Sequence, residues 1–525
     1  VSEDITSGKG AEVKDDSQVS GSAPAPDAGA APAAAVAAGS EPVPGDPGTS
    51  AHADSPGRGA PAGSAVADFG IDTTTLSTRE ALRDYVMRLR GGEIGSLPAL
   101  LGLVALVVLF SVLSDVFFSL NNIANLLAQG AGQTIIAIGI VYVLLIGEID
   151  LSAGTASGVA GAVLAMHYVK DGNLLSGMGS TVFFIFNALL VLGAVLAALL
   201  RIWPGVALSL LGVAVTLIGF KANPWVEMLL AVCVGAAIGC ITGFLIAKIG
   251  MPSFVVTLAL FLTWQGVILQ LIGEGGVLGI SSSHVLDQVA NGNLSTVGSW
   301  VLCVVAAGGY TAVTLGGHLL RRKRGLVTSP TPLIVAKVVA LSGFAIVVTA
   351  LLTVNRSPNS LIEISGVPYV VPIVLALLVA GTYVLNRTTY GRHIYAVGGN
   401  MEAARRAGID VTRLRASVFV ISSSCAALGA IVYSSKVGSV DPQAGGLNTL
   451  LFAVGAAVIG GTSLFGGRGR VADAVIGGAV LAVVSNGLGL LSQPAAVVSI
   501  VTGLVLLLAA TVDALSRRRA AIAQS

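Results

Sequence analysis

The chain reads as a succession of apolar runs separated by short polar connections. Fourteen runs can be counted, over roughly 97–119, 123–146, 151–168, 181–200, 205–220, 226–248, 253–272, 298–316, 333–353, 369–386, 416–434, 448–463, 471–491 and 495–514. Most approach the ~20 residues a helix needs to cross a hydrocarbon core of about 30 Å. Short alternating segments of the membrane β-barrel kind are not seen. The pattern therefore predicts an all-α polytopic membrane protein with about 14 transmembrane segments.

Two runs fall short. The purely apolar part of 132–146 is 15 residues, about 22 Å of helix. The stretch 450–463 is comparably short. Each ends in a glycine-containing loop, Gly147-Glu-Ile-Asp-Leu-Ser-Ala-Gly154 and Gly460-Gly-Thr-Ser-Leu-Phe-Gly-Gly-Arg468, and another apolar run follows. Paired half-helices around a central site would look like this, as would ordinary helix-turn-helix hairpins. The first loop carries two acids, Glu148 and Asp150. Charge at membrane depth costs several kcal/mol unless paired, hydrated or lining a cavity. A broken helix there is tolerated only where protein or a water-filled path satisfies its backbone. The loop therefore points to a transport pathway or gate. Asp150 or Ser152 can cap the helix that follows.

Composition agrees with this reading. Only 11% of residues are charged and 54% are hydrophobic, against roughly 25% charged in soluble domains. The placement of charge says more than the net +2. With the amino end in the cytosol and the fourteen runs alternating, cytosolic connections receive 22 basic residues, including Arg321-Arg-Lys-Arg324, six between Arg387 and Arg415, Arg468 and Arg470. The outer connections receive four: Lys170, Lys221, Arg356 and Lys436. Asp171, Glu227, Glu274, Asp287, Glu363 and Asp441 also fall outside. The positive-inside rule thus supports both the count and an orientation with both termini inside.

Residues 1–78 are rich in Ala, Pro, Gly and Ser and are expected to be a disordered cytosolic tail without a signal-peptide pattern. The stretch 79–92 is expected to be an amphipathic interfacial helix. Ser77 or Thr78 would cap it, and Leu82, Tyr85, Val86 and Leu89 would share its apolar face. The permease domain would span 93–516, and 517–525 would be a cytosolic tail. Cys233, Cys240, Cys303 and Cys425 all lie in apolar runs and read as small packing residues, not as disulfide or metal partners. His167, His284, His318 and His393 have no metal spacing and read as interfacial or loop residues. No metal site is expected.

The linker from Asn386 to Arg415 holds a different signal. Its segment Met401-Glu-Ala-Ala-Arg-Arg-Ala407 is a short helix former. Gly398-Gly399-Asn400 is expected to break the chain before it, and Gly408 to end it. Ile409 and Val411 add apolar contacts. A short capped helix between membrane spans suits docking to a motor subunit, although a solvated basic loop would read similarly.

Here the residues resemble a known family. Tyr390-Gly-Arg-His-Ile-Tyr-Ala-Val-Gly-Gly-Asn-Met-Glu-Ala-Ala-Arg-Arg-Ala-Gly-Ile409 resembles the coupling segment of sugar permeases of bacterial ATP-binding-cassette importers. These are the ribose, xylose and galactose group, related to branched-chain amino-acid permeases. Gly147-Glu-Ile-Asp-Leu-Ser152 is similar to that group's Gly-Gly-Ile-Asp-Leu-Ser signature, with Glu148 in place of a glycine. Gly250-Met-Pro-Ser-Phe-Val-Val-Thr-Leu258 and Ala457-Val-Ile-Gly-Gly-Thr-Ser-Leu-Phe-Gly-Gly-Arg-Gly469 match two further motifs. The four occur in family order. The resemblance implies a core of about ten spans, so the fourteen runs exceed it by two pairs, at roughly 175–225 and 298–355. Long members of the group are often xylose permeases, which makes D-xylose the first substrate expectation. Ribose, galactose, a polyol or a nucleoside are the alternatives.

The resemblance further implies a second permease copy, two ATPase subunits, an extracytoplasmic sugar-binding protein and a place in the bacterial plasma membrane. It implies no nucleic acid and no catalysis by this chain. ATP and Mg would sit on the partner, since no Gly-x-x-x-x-Gly-Lys-Ser/Thr loop occurs here. Gly399, Asn400, Glu402, Ala403, Ala404, Gly408 and Ile409 are the expected coupling residues, with Glu402, Ala403, Ala404 and Gly408 against an ATPase cleft. Expected path or gate residues are Glu148, Asp150, Ser152, Thr257, Trp264, Gln265, Asn448, Thr462, Ser463 and Asn486, with Gln129 and Gln133 as further polar positions inside apolar runs. Helix–helix hydrogen bonding is the competing role for each. Glu148 and Asp150 could instead meet a cytosolic base such as Arg468, and glycine at 148 should be nearly neutral. An ion-coupled secondary transporter remains the rival class, because the acid pair could bind a proton or ion. A membrane enzyme lacks any clustered catalytic residues.

Overall fold

All fourteen apolar runs are helical in a computed structural model of the chain, which describes residues 77–80, 83, 87, 95–326, 328–357 and 363–524. In chain order the helices are α1 (Leu97–Leu113), α2 (Leu120–Gln129), α3 (Ala131–Leu145), α4 (Ala153–Val169), α5 (Leu174–Met178), α6 (Ser180–Leu199), α7 (Trp203–Ile218), α8 (Pro224–Phe244), α9 (Ser253–Ile272), α10 (His284–Asn291), α11 (Thr296–Lys323), α12 (Thr331–Thr353), α13 (Val370–Arg387), α14 (Thr389–Gly399), α15 (Met401–Arg406), α16 (Val411–Val437), α17 (Leu447–Ile459), α18 (Val471–Leu490) and α19 (Ala495–Gln524). Among the described residues ten helical stretches are long and apolar enough to cross a membrane. The shorter helices α1, α4, α7 and α17 account for the remaining four runs.

The expected tail and the positions Leu82, Tyr85, Val86 and Leu89 lie outside the described residues. Ser77 does open a helix. Its hydroxyl accepts from the Glu80 N–H at 3.3 Å, and its own N–H donates to the Glu80 carboxylate at 2.7 Å. The Ser77 N–H, with help from the Ser77 hydroxyl, holds the Glu80 carboxylate below its ordinary pKa.

The core follows from small residues at regular spacing. On α8, Gly235, Gly239 and Gly243 recur every four residues and so share one face. That face lies on α16. A Cβ on each would come within 2.5–2.6 Å of the carbonyl oxygens of Ser423, Phe419 and Ala416 respectively. Gly139 makes the same close approach from α3, against Ser422 and Cys425. Close backbone approach is the main source of helix association where lipid offers no hydrophobic drive. Cys233, Cys240 and Cys425 are indeed packing residues, facing Gly212, Gly205 and Gly139. Around this centre α4 is buried almost throughout, between α8, α9 and α16.

The two extra helix pairs differ. The α6–α7 hairpin leans on α8, and the Thr216 hydroxyl donates to the Asn187 side chain across it at 2.5 Å. The α11–α12 hairpin packs mainly on itself. It meets the rest through α2 and a small cluster of Ala124, Leu352 and Val367.

One expectation needs correction. The run 132–146 is not a half-helix. The backbone stays helical at Gly130, so α2 and α3 continue as one 26-residue stretch, Leu120–Leu145. The polar residues Asn121, Asn122, Asn125 and Gln129 hid its first turns from the apolar pattern. The second short run is short indeed: α17 has 13 residues, about 20 Å of helix.

The connections gather in two groups, at the two ends of α16. One group joins the loop after α3, the segment 388–410 and the loop after α17. In the other, strands β1 (Leu278–Gly279) and β2 (Ser439–Val440) pair antiparallel, Arg356 donates to Asn293 at 2.7 Å, and the Ala222 N–H donates to Asp171 at 3.1 Å. Alternation of the fourteen runs puts the same connections together. His167 and Glu227, expected at an interface and in a loop, are instead fully buried near the second group. They face each other at 3.4 Å, and Glu227 also accepts from the Asn223 N–H at 3.0 Å. Mutual pairing is what permits the burial.

Candidate functional site

At the first group of connections three glycine-bearing segments close on one another. α3 ends at Leu145, and Gly147 turns the chain with a positive φ of 77°. Gly398, near the end of α14, passes so close that a Cβ there would lie 1.9 Å from the Leu145 carbonyl oxygen and 2.7 Å from the Gly467 nitrogen. The same Leu145 carbonyl accepts from the Gly467 N–H at 2.9 Å. Tyr395, one turn earlier on α14, donates its hydroxyl to the Gly469 carbonyl at 2.9 Å. Only a residue without a side chain fits at Gly398, so three backbones share one contact point.

The acids divide into two roles. Asp150 is almost wholly buried. Its Oδ1 accepts from the Ser152 N–H at 3.0 Å and the Ser152 hydroxyl at 2.7 Å, and its Oδ2 accepts from Ser422 on α16 at 2.8 Å. Asp150 therefore caps the turn that leads into α4 through the N–H of Ser152, the helix's N-cap residue, whose own side chain does not cap. The extended strand between the acids is pinned to α9: the Ile149 N–H donates to the Ser253 hydroxyl and the Ile149 carbonyl accepts from Thr257, both at 3.3 Å.

Glu148 forms an ion pair with Arg415 in the first turn of α16, and both side chains are largely buried. It does not meet Arg468, whose guanidinium makes no ion pair or hydrogen bond among the described residues. This revises the expectation that glycine at 148 would be neutral. Removing one partner of a buried pair strands the other, typically at 3–5 kcal/mol. Glu148→Leu and Arg415→Leu are each expected to destabilise by about 3 kcal/mol, and the double variant by clearly less than the sum. Additive losses in the thermal stability of the purified protein would contradict the pairing.

The linker resolves into α14 and α15. The helix continues through Gly398 and Gly399 and breaks only at Asn400, whose side chain caps α15 by accepting from the Ala403 N–H at 2.9 Å. Gly408 ends the turn with φ 84°, and the Ile409 N–H returns to the Ala404 carbonyl at 3.1 Å. Ala404 is buried with its side chain against the core, so it cannot present itself to a partner as expected. Gly399, Asn400, Glu402, Ala403 and Gly408 are exposed, and Ile409 is half-buried. On the short helix α15 Ala404 thus faces inward while its neighbours Glu402 and Ala403 face outward.

The other candidate residues fall in three places. Trp264 lies on the buried face of α9, seven residues beyond Thr257, and its indole N–H has no hydrogen-bond partner among the described residues. Its neighbour Gln265 donates to the Pro442 carbonyl at 2.6 Å, and Asn448 is exposed at the start of α17. Thr462 and Ser463 are buried in the loop after α17, where the Thr462 hydroxyl donates to Asp473 at 3.4 Å. Asn486 is joined reciprocally to Asn122, at 2.8 and 2.9 Å, and reaches Gln129 at 3.3 Å. That cluster staples α18 to α2. Gln133 is half-buried on α3. Sequence reasoning did not single out Arg415, Ser422 or Asn122, since nothing local marks their partners.

The described residues thus form an α-helical bundle of the multi-pass membrane kind, with an interior loop bonded to a capped peripheral segment. The chain belongs to the family described as branched-chain amino acid transport system / permease component, which matches residues 205–510. It is 31% identical over 418 residues to the xylose transport system permease protein of Escherichia coli (strain K12), covering 79% of this chain and 91% of that one. The xylose transport system permease protein of Haemophilus influenzae is 28% identical, with 80% and 96% covered. The ribose import permease protein of Escherichia coli (strain K12) is 28% identical, with 79% and 92% covered. No solved structure matches the chain.

Proposed function

We propose that this chain is the membrane-spanning subunit of an ATP-driven importer of a monosaccharide, D-xylose first, working by alternating access in the bacterial plasma membrane. Two copies would enclose the path. Two separate ATPase subunits, carrying ATP and Mg, would dock on the α14–α15 segment, and an extracytoplasmic sugar-binding protein would deliver substrate from the other side. The 31% identity with a xylose permease over most of both chains supports the substrate. Both termini and the glycine junction would then be cytosolic, as the basic residues favour.

The observation that carries the mechanism is the fusion at Gly398. The segment offered to the motor touches the end of α3 through the Gly398 backbone and the loop after α17 through Gly398 and the Tyr395 hydroxyl. A displacement of α14 by the ATPases would move both loops, and through Asp150 and Ile149 it would reach α4, α9 and α16. The face open to the motor is Glu402, Ala403 and Gly408. In the reconstituted complex, Gly408→Val is expected to lower sugar-stimulated ATP hydrolysis at least about tenfold, because its positive φ excludes a branched side chain and α15 loses its stop. Normal stimulation in that variant would remove α15 from the coupling route.

A further inference from the structure

A cavity of about 740 Å3 opens between α1, α17, α18 and α19, beside the glycine junction. That volume is in the range of ligand pockets, roughly 300–1,000 Å3. Its walls are of two kinds. Along the helices they are apolar: Leu106, Ile459, Val505 and Leu508 are among them. At one end they are polar and basic: Ser96, Arg468 and Arg470. Arg470 reaches the Ser96 hydroxyl at 3.2 Å and lies 3.6 Å from Asp473. The Asp473 carboxylate also accepts from the Arg470 N–H at 2.7 Å and from the Thr462 hydroxyl at 3.4 Å. Arg468 has no partner among the described residues and is exposed at the mouth. Among the described residues the site thus joins one cation without an acidic partner to a long apolar slot.

We propose that this cavity binds an anionic phospholipid from the leaflet on the side of the coupling segment. Its phosphate lies at Arg468, Arg470 and Ser96, and an acyl chain lies between α1 and α19. This rests on the reading of the chain as a membrane permease, but not on its substrate or its motor. The chemistry fits a lipid better than a soluble anion, because a free phosphate would leave the apolar slot unfilled. It also fits better than a neutral lipid, because Arg468 would stay unpaired. The lipid would abut Gly469, whose carbonyl holds Tyr395 of α14, so the bilayer itself would brace the junction.

Native mass spectrometry of the purified full chain tests this without any transport assay. The probes are phosphatidylglycerol and phosphatidylcholine with the same palmitoyl and oleoyl chains, and glycerol 3-phosphate as the free headgroup. Phosphatidylglycerol is expected to bind at least about fivefold more tightly than phosphatidylcholine, and Arg468→Gln to erase most of that preference, as one basic group at an anionic headgroup allows. Arg468→Lys should keep it. Gly102→Phe, at a wall position where a side chain meets nothing within 4 Å, should fill the slot and weaken both lipids. Equal affinity for the two lipids would overturn the proposal. So would a preference that survives both Arg468→Gln and Gly102→Phe. Binding of glycerol 3-phosphate as tight as that of phosphatidylglycerol would make this a soluble-anion site instead.

Discussion

Gly398→Ala is expected to abolish coupled transport, while Gly399→Ala, one residue on, leaves it intact. The two glycines are adjacent on the same helix, so helix propensity treats the substitutions alike and slightly favours alanine at both. Their surroundings differ completely. At Gly398 the new methyl would lie 1.9 Å from the Leu145 carbonyl oxygen and 2.7 Å from the Gly467 nitrogen, and at Gly399 it meets nothing within 4 Å. Both neighbours at Gly398 are backbone and cannot rotate away. α14 must therefore lift off α3, and the Gly467 to Leu145 hydrogen bond must stretch or break. The cost should be about 1–3 kcal/mol, typical of overpacking. That is small against a whole bundle but concentrated at the joint between motor segment and membrane loops. Sugar-stimulated hydrolysis of the reconstituted complex should fall at least about tenfold in the first variant and stay near the parent in the second. Equal behaviour of the two would show that the close approach has no mechanical role.

Asp150→Leu is expected to be the most damaging single change in the loop after α3, and Asp150→Asn much milder. Leucine leaves the Ser152 N–H, the Ser152 hydroxyl and the Ser422 hydroxyl without their acceptor in a buried place. Each orphaned group costs about 1–3 kcal/mol, although the hydroxyls can turn to nearby carbonyls. A net loss of about 3 kcal/mol or more is expected in the thermal or denaturant stability of the purified protein. Asparagine keeps one oxygen for Ser152 and offers its amide N–H to Ser422. It also removes a buried charge that no cation approaches among the described residues, so its cost should stay within about 1 kcal/mol. Transport by Asp150→Asn then isolates the role of charge from that of the cap. If Asp150→Leu is as stable and active as the parent, the loop is neither cap nor hinge.

The helices were largely legible in the sequence, because in a bilayer every backbone polar group must be satisfied within its segment. That rule makes each apolar run a helix almost independently of its neighbours. The run 132–146 misled because its helix begins at Leu120 among polar residues, of which Asn122 and Gln129 are bonded to Asn486 on α18. Asn122 is matched by Asn486, 364 positions away. Such pairings leave no local trace. The same holds for Glu148, whose partner Arg415 is 267 positions distant. Arg468, the base expected for it, instead lines the cavity beside α1. The short helix proposed for coupling was readable from Asn400, Gly408 and the residues between them, since caps are local. Its facing was not: Ala404 points inward only because α14 is anchored by Gly398 and Tyr395. Helices that are apolar all round carry little information about which side meets protein and which meets lipid.

The central claim is that this chain carries a monosaccharide through the membrane under the drive of a separate ATPase. Its most direct test is uptake of labelled D-xylose into proteoliposomes holding the full chain, its ATPase partner and its binding protein. The account predicts uptake that requires ATP on the ATPase side and persists when a protonophore collapses the proton gradient. Uptake that proceeds without the ATPase and stops with the protonophore would contradict it, and would make Glu148 and Asp150 the ion site of a secondary transporter.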